Sequence, residues 1–199
     1  AWFLTLQATE KDVLENYNQQ QLLLVEGAAV GIEGLFDDLA ASLGALGEVA
    51  EIQYFDEDFA RQDLTRKLEE LSPLGITDIG FLDAQGTSQV FIVDREAEGI
   101  DYSWRSYFKE AQERQVGDTS NFIIVELQTV RTGELGFKIT IPIFETLTDA
   151  NHPSPSGNFA GVVVGNLTFD TLIERHIAPF KPQGEGHIFL VNNDYDIIW

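Results

Sequence analysis

Eleven residues near the middle of the chain bring together four aromatic side chains and one arginine: Asp101-Tyr102-Ser103-Trp104-Arg105-Ser106-Tyr107-Phe108-Lys109-Glu110-Ala111. We expect a helix here, because Asp101 or Ser103 can accept hydrogen bonds from first-turn amides and Gly117 can end the helix. On that helix, Tyr102 and Arg105 share a face, since residues three apart are neighbours. A neighbouring apolar stripe is predicted to contain Trp104, Phe108 and Ala111.

The Tyr102/Arg105 pair has two interpretations. A helix start favours anions, so a phenol and a guanidinium placed there can hold a carboxylate, with the guanidinium donating two parallel hydrogen bonds. In the alternative interpretation, Arg105 pairs with one of the many acidic side chains and the aromatic residues only fill the core. The spacing alone leaves both interpretations open.

Composition excludes several classes of function. The 199 residues include 12 basic and 33 acidic side chains, a net charge of −21, so nucleic acid and anionic membrane surfaces are poor partners. The absence of cysteine excludes disulfides, thiolate metal ligands and a cysteine nucleophile. The hydrophobic content of 44% is enough to fill a globular core.

The first residues are unusually apolar. No run reaches the roughly 18 apolar residues that a membrane-spanning helix needs. The opening Ala1-Trp2-Phe3-Leu4-Thr5-Leu6 is compatible with the outer end of a transmembrane helix or with a first turn packed on the core.

A long helix is predicted from about Thr9 to Ala50. Apolar residues recur there every seven positions, and a second row follows three residues behind; the first row is Val25, Ile32, Leu39 and Leu46, and the second is Ala28, Leu35, Ser42 and Val49. Such a seam can pack on a dimer partner or on a sheet. A shorter helix is predicted from Asp56 to Leu71.

After Gly75 the periodicity changes to that of strands. A hairpin, the aromatic helix, two further strands, an exposed loop and a central apolar strand follow in order. The predicted strands are Ile76–Leu82, Val90–Val93, Phe122–Val130, Phe137–Phe144 and Phe159–Phe169. Asp170 is expected to cap a short helix through His176. A weak echo of Phe81-Leu82-Asp83-Ala84-Gln85 at Leu190-Val191-Asn192-Asn193-Asp194 suggests that a second module begins near Gly184.

This order of elements resembles the membrane-distal half of a double Cache sensor domain, an extracellular PAS-like domain of bacterial and archaeal histidine kinases and chemoreceptors. The resemblance covers about residues 9 to 180. It implies an α+β fold in which a long N-terminal helix packs on a PAS-like antiparallel sheet. The predicted domains are a helical stalk (1–74), a ligand-binding module (75–183) and the start of a membrane-proximal module (184–199). The matching motifs are Phe81-Leu82-Asp83-Ala84-Gln85-Gly86, Tyr102-Ser103-Trp104-Arg105-Ser106-Tyr107-Phe108, Ile141-Pro142-Ile143 and Gly161-Val162-Val163-Val164-Gly165-Asn166-Leu167.

Within that family, the motif around Tyr102 and Arg105 is similar to C4-dicarboxylate sensor kinases. The resemblance implies that these two residues hold a ligand carboxylate, that Tyr107 forms a wall of the pocket and that Thr140 adds a hydroxyl. Asn166 stands where dicarboxylate sensors carry lysine and amino-acid sensors carry aspartate, and Tyr107 stands where the amino-acid group carries tryptophan. The ligand subclass is therefore open.

The leading hypothesis is a non-catalytic extracytoplasmic sensor domain for a small organic acid, in a membrane-anchored parent that dimerises through the long helix. A structural or dimerisation module with a vestigial pocket is the alternative, and a hydrolase is a third hypothesis. We expect no cofactor and no metal, because the three histidines are scattered and no metal-ligand spacing is present. The calcium-like Asn192-x-Asp194-x-Asp196 lacks the rest of a calcium loop and is predicted to be a turn.

Overall fold

The computed structural model describes residues 2–117, 123–129, 135–180 and 189–191, with side chains from residue 12 onward outside 118–135. Two compact units are distinguished: residues 1–35 with 173–199, and residues 36–172. The predicted domain boundaries after residues 74 and 183 remain predictions. The connection between the predicted strands Phe122–Val130 and Phe137–Phe144, at residues 130–134, and the predicted turn at 192–196 lie outside the described residues.

Five α-helices are present in the described ranges: α1 (Trp2–Gly44), α2 (Ala50–Gln53), α3 (Glu57–Leu71), α4 (Ser106–Gln112) and α5 (Phe169–Leu172). Short 3-10 turns at Ala45–Glu48 and Ser72–Leu74 follow α1 and α3. The predicted helix from Asp56 to Leu71 is present as α3, and the Asp56 carboxylate caps it by accepting a hydrogen bond from the Phe59 amide. Within the described residues, no helix combines the length and the apolar composition that a bilayer crossing requires.

The first unit contains the N-terminal part of α1 and the segment after α5. A π-helical turn at Ile173–Ile177 leads into a 3-10 turn at Ala178–Phe180. Gly27 of α1 lies against the Phe180 ring, because a Cβ at position 27 would be 3.2 Å from the ring carbon Cε1. The small residue therefore permits close packing at this point.

The second unit is built on a five-stranded antiparallel sheet in the order β2-β1-β5-β4-β3. The strands are β1 (Ile76–Asp83), β2 (Ser88–Phe91), β3 (Ile123–Thr129), β4 (Leu135–Phe144) and β5 (Phe159–Thr168). The predicted α+β fold with an antiparallel sheet is thus confirmed. The apolar strand β5 is central, as its composition predicts, since a strand buried on both faces needs no polar alternation.

One face of the sheet packs on helices of the same unit. Phe36 in α1 contacts Phe137 in β4 edge to face, with ring centroids 5.7 Å apart. Leu43 lies against the backbone of Gly165 in β5, and the Phe55 ring stacks on Phe81 of β1. This face therefore forms one apolar layer of the core.

The heptad seam of α1 does not present one continuous surface to a second copy. Leu39 and Leu46 are 0% and 3% exposed inside the second unit, and Leu43 packs on β5. By contrast, Val25 is 53% exposed. The C-terminal part of the seam therefore belongs to the core, because the chain's own sheet already covers it. Dimerisation along α1 remains a prediction.

The opposite face of the sheet carries a second apolar cluster beneath α4. It contains Leu82, Phe91, Ala97, Tyr107, Phe108, Ala111, Val162 and Val164. At its edge, Gly161 has a φ of 144°, and a Cβ there would collide with the Leu82 carbonyl oxygen. Glycine is required where β5 pairs with the end of β1, because any side chain there would separate the two strands.

Candidate functional site

The segment before α4 is a turn and not the start of a helix. The Asp101 carboxylate accepts the Ser103 amide at 2.8 Å, and Asp101 also forms an isolated bridge with Thr87. The helix α4 begins at Ser106 and has seven residues, without a side-chain cap. The prediction that Asp101 or Ser103 caps the helix is therefore wrong, because pairing with the β1–β2 hairpin fixes the backbone of this segment.

The prediction that Tyr102 and Arg105 share one face of a helix is also wrong, although the turn keeps the two residues close. The Tyr102 amide donates to the Gly86 carbonyl at 2.8 Å, and the Arg105 amide donates to the Tyr102 carbonyl at 3.0 Å. Tyr102 packs against the cluster with its ring 6.4 Å from Phe91. The tertiary contact with Gly86 therefore takes the place of helical hydrogen bonding.

Arg105 is half-buried and stacks on its neighbour. Its guanidinium carbon lies 4.1 Å from the centre of the Trp104 ring, within the range of a cation–π contact. Trp104 itself is 59% exposed, so it is not the core residue that the predicted stripe required. The indole instead orients the guanidinium.

Tyr107 is buried among the apolar residues of the cluster. It is 1% exposed, and burial raises the pKa of its phenol well above the usual value, although the nearby Arg105 opposes that change. The phenol is therefore a neutral hydrogen-bonding group at physiological pH. Phe108, also 1% exposed, provides the apolar backing next to it.

Lys138 is a candidate site residue that the sequence reasoning missed. It pairs with Asn166 across β4 and β5, and its ammonium donates to the Asn166 Oδ1 atom at 3.0 Å. The same ammonium lies 5.8 Å from the centre of the Tyr107 ring. The alternation along β4 was the available signal, because residues two apart share a face and Lys138 is two residues before Thr140.

The pKa of the Lys138 ammonium is lowered by its surroundings. Burial, and next the repulsion from the Arg105 guanidinium, lower the pKa of the Lys138 ammonium to about 8. The carboxylates of Asp78 and Asp94 act in the opposite direction, each more weakly than Arg105. Lys138 and Arg105 therefore act on each other as like charges, which an anion between them would relieve.

Asp78 continues the same row of the sheet on the far side of Asn166. The side chain is 5% exposed, and its two oxygens accept the amides of Val93 and Asp94 at 2.9 and 3.1 Å. Burial raises the pKa of this carboxyl, whereas the two amide hydrogen bonds lower it. Asp78 therefore mainly holds the backbone of the residues that follow β2.

Thr140 supplies a buried hydroxyl on the same face as Lys138. The residue is 0% exposed and pairs with Val164 of the apolar cluster. Within the part of the chain that the structure describes, its Oγ1 atom has no hydrogen-bond partner. A buried hydroxyl without a partner costs about 1–3 kcal/mol, so a polar ligand at this position would recover that energy.

The loop between β2 and α4 is anchored by Glu98. Its carboxylate accepts from the Arg61 guanidinium of α3 at 2.9 Å and from the Phe91 amide at 3.1 Å. Both hydrogen bonds lower the pKa of the Glu98 carboxyl, and the bond with Arg61 makes the larger contribution. The loop that leads to Tyr102 is thus tied to both a helix and a strand.

The predicted site residues therefore fall into two groups. Thr140 and Asn166 lie on the face of the sheet under α4, together with Lys138, and Tyr107 of α4 packs in the apolar cluster on that face. Arg105 acts electrostatically on Lys138 and Tyr107. Tyr102 packs at the edge of the cluster. Two cations, two hydroxyls and one amide suit an anionic ligand. Within the described ranges, no three acidic, histidine or cysteine side chains converge as metal ligands would.

The chain belongs to the Cache domain family, whose model matches residues 5–199. The fold is similar to that of the sensor domains of signalling receptors. No curated protein matches the sequence.

Several solved structures share this fold. The ligand-binding domain of the Pseudomonas fluorescens chemoreceptor CtaA, in complex with L-serine, is 18% identical with a TM-score of 0.64, over 94% of this chain and 72% of that one. The Pseudomonas aeruginosa PAO1 amino acid chemoreceptor PctC, in complex with GABA, is 19% identical with a TM-score of 0.62, over 94% and 75%. The sensor domain of the Vibrio cholerae histidine kinase DctB is 14% identical with a TM-score of 0.55, over 83% and 60%.

The chain is shorter than the proteins it resembles. An extracellular ligand-binding receptor from Desulfohalobium retbaense DSM5692 is 21% identical with a TM-score of 0.61, and the match covers 80% of this chain but only 27% of that receptor.

Proposed function

We propose that the chain is the extracytoplasmic sensing domain of a membrane-anchored signalling receptor, and that it binds a small organic carboxylate without catalysis. The observation that carries the proposal is the group formed by Arg105, Lys138, Tyr107 and Thr140 between α4 and the sheet. These side chains offer charge-assisted donors in a partly buried place, where each hydrogen bond to an anion is strong.

The ligand would contact the guanidinium of Arg105 with one carboxylate. Trp104 supports this role, because the stacked indole limits the positions that the guanidinium can take. Tyr107 would form the apolar wall and Thr140 a buried hydrogen-bonding partner. Asn166 would act through Lys138, whose ammonium it holds.

Membership of the Cache family supports the sensing role, and the receptors with the same fold support the extracytoplasmic location. The relatives crystallised with L-serine and GABA make an amino acid the competing ligand class. Exposed apolar side chains on the N-terminal part of α1, such as Leu22, Leu23 and Val25, support dimerisation of the parent through this helix as a second role.

A thermal-shift panel of small monocarboxylates, dicarboxylates and amino acids tests the proposal. A ligand at 100 times its Kd adds about 2.7 kcal/mol to the stability of the folded protein, which raises the melting temperature measurably. We expect at least one carboxylate to raise it in the parent but much less in Arg105→Ala, whereas the exposed Arg66→Ala variant should respond like the parent. If no acid raises the melting temperature, the proposed function is wrong.

A further inference from the structure

The hairpin turn between β1 and β2, Asp83-Ala84-Gln85-Gly86, lies against the segment that leads into α4. The Gly86 amide donates to the Asp83 carbonyl at 2.9 Å, and Gly86 has a φ of 86°. A three-residue hairpin loop commonly ends in such a left-handed residue, which favours glycine for conformational reasons alone. Gly86 is nevertheless buried, although the tips of hairpins normally lie at the surface.

The backbone of Ser103 covers Gly86. A Cβ atom at position 86 would be 2.7 Å from both the Cα and the backbone nitrogen of Ser103. Non-bonded carbon atoms are normally ~3.5 Å apart or more, so a side chain at position 86 would push this backbone outward by roughly 0.8 Å. Glycine is therefore needed here for a second reason, which is the close approach of the turn at residues 101–105.

The hairpin holds the segment around Arg105 at both ends. Before Arg105, the Tyr102 amide donates to the Gly86 carbonyl at 2.8 Å. At the end of α4, the side-chain nitrogen of Gln112 donates to the Ala84 carbonyl at 3.4 Å. The position of the backbone that carries Arg105 therefore depends on the hairpin turn.

The Asp83 carboxylate fixes the shape of this hairpin turn. Its Oδ1 atom accepts the backbone amides of Gln85 and Thr87, both at 2.9 Å. Its Oδ2 atom accepts the side-chain nitrogen of Gln89 at 2.6 Å. Hydrogen bonds to an ionised acceptor are stronger than those to a neutral one, so Asp83 stabilises the surface on which Ser103 rests.

Resting on the proposed carboxylate site, we propose that Gly86 and Asp83 are positioning residues for Arg105. Neither residue contacts the ligand in this scheme. The hairpin sets the backbone of the turn at 101–105, and that backbone sets the point from which the guanidinium reaches the carboxylate. Binding groups are held within about 0.5 Å of their working positions, and a side chain at position 86 would exceed that tolerance.

Two alanine variants separate this role from the backbone preference of a turn glycine. Gly86 and Gly117 have the same φ of 86°, but among the described residues no heavy atom lies within 4 Å of a Cβ at Gly117. Gly86→Ala and Gly117→Ala therefore carry comparable backbone strain, and only Gly86→Ala displaces the turn at 101–105.

Calorimetry of the folded proteins with acetate, pyruvate, succinate and L-serine measures the effect on binding. The Kd of the tightest of these probes should rise about tenfold or more in Gly86→Ala, because the guanidinium no longer meets the carboxylate squarely. Gly117→Ala should keep the Kd of the parent. A purely structural role of Gly86 would lower the melting temperature and leave the Kd of the folded molecules unchanged.

Amide exchange followed by NMR reports the contact itself without a ligand. The Tyr102 amide should exchange about tenfold faster or more in Gly86→Ala, because its hydrogen bond to the carbonyl of residue 86 is disturbed. The amide of Val163 in the centre of β5 should keep the parent's rate and serves as the internal reference.

Asp83→Ala tests the same role without adding bulk, and it replaces Gly86→Ala if that variant does not fold. The Kd should rise about threefold or more, because the turn loses the acceptor of two amides. Asp83→Asn keeps an oxygen for these amides and should recover most of the affinity. Asp38→Ala, which removes the same charge from an exposed position on α1, should bind like the parent.

The outcomes separate this inference from the proposed function. If Gly86→Ala or Asp83→Ala is folded and binds the probe as tightly as the parent, the carboxylate site stands and the positioning role is wrong. An unchanged exchange rate of the Tyr102 amide in Gly86→Ala would also overturn the positioning role. If the parent binds none of the probes, both proposals fail together.

Discussion

At the scale of single residues, Lys138 carries a structural cost that suits the ligand-binding site proposed around it. Its ammonium is held between Asn166 and the Tyr107 ring, and burial disfavours its charged form. An amino acid kept in an unfavourable state by its surroundings is typical of binding sites, where the ligand supplies the compensating interaction. The same reasoning applies to the buried hydroxyl of Thr140.

The lowered pKa of Lys138 predicts a pH dependence of stability. Because the pKa falls from 10.5 to about 8 on folding, the folded chain binds fewer protons than the unfolded chain between these values. Stability therefore rises with pH through this window, and below it the buried ammonium costs up to roughly 3 kcal/mol. Lys138→Met should remove this cost, so the variant should exceed the parent in free energy of unfolding near pH 7.

Urea unfolding of both proteins at about pH 7 and about pH 10 measures this effect. The advantage of Lys138→Met should shrink at the higher pH, and Lys109→Met should show no comparable change. A gap of the same size at both pH values would contradict the assigned pKa.

At this scale the sequence predicted Tyr107 and Thr140 as site residues, and that assignment stays a prediction. Both side chains are buried, Tyr107 on α4 and Thr140 on the face of the sheet beneath it. Lys138 was missed because its importance depends on the register between β4 and β5, which no spacing within one strand reveals. Asp78 was missed for the same reason, since its partners are backbone amides after β2.

At the scale of elements, strands were easier to predict than helix starts. The change to strand periodicity after Gly75 located β1 and β5 to within one residue at each end and β4 to within two, because buried antiparallel strands carry dense apolar runs. The start of α4 was predicted several residues too early. An aspartate at position 101 is compatible with a helix cap and with a turn. The bridge to Thr87 stabilises the turn, in which the Asp101 carboxylate accepts the Ser103 amide.

The long helix shows the same limit. Its heptad pattern predicted an apolar seam but could not say what covers each part of it. Leu39 and Leu46 are covered by the chain's own second unit, whereas Val25 is exposed. A sheet and a helix partner impose similar apolar spacing, so only the tertiary structure distinguishes them.

Gln53 at the end of α2 fixes the loop after β4. The residue is 3% exposed. Its side-chain nitrogen donates to the Gly47 carbonyl at 2.6 Å and to the Thr146 hydroxyl at 2.9 Å. Its side-chain oxygen accepts the backbone amides of Thr146 and Leu147, both at 2.8 Å. Neighbouring Tyr54 donates to the Leu147 carbonyl at 2.7 Å. One side chain thus satisfies several backbone groups of the loop.

Gln53→Met should lower the free energy of unfolding by roughly 2–4 kcal/mol, because buried amides and a carbonyl lose their partners. Gln62→Met on the exposed side of α3 is the matched control and should change stability by less than about 0.5 kcal/mol. Urea denaturation followed by circular dichroism measures both. Equal stability of the two variants would show that the loop finds other partners at no cost.

At the scale of the whole molecule, the acidic surface and the cationic site act in opposite directions. A net charge of −21 repels an approaching anion at long range, although at physiological salt the screening length is about 8 Å. In the proposed site, local contacts with Arg105 and Lys138 would set the affinity, whereas the acidic surface would mainly slow capture of the ligand.

Stopped-flow binding of the tightest acid from the panel measures this balance. Raising ionic strength from about 0.01 M to about 0.15 M shortens the screening length from about 30 Å to about 8 Å, so the association rate constant should increase. The dissociation rate constant should change little, because the site itself is partly shielded from salt. Association that slows with added salt would show that a local positive field guides the ligand.

Arg105 is proposed to hold a ligand carboxylate in this Cache sensor domain. Titration calorimetry of the parent and of Arg105→Ala with the tightest acid of the panel tests it most directly. Loss of one partner of a buried charge pair costs about 2–5 kcal/mol, so the Kd should rise more than about tenfold, while Arg66→Ala leaves it unchanged. If Arg105→Ala is folded and binds the acid as tightly as the parent, the claim is contradicted.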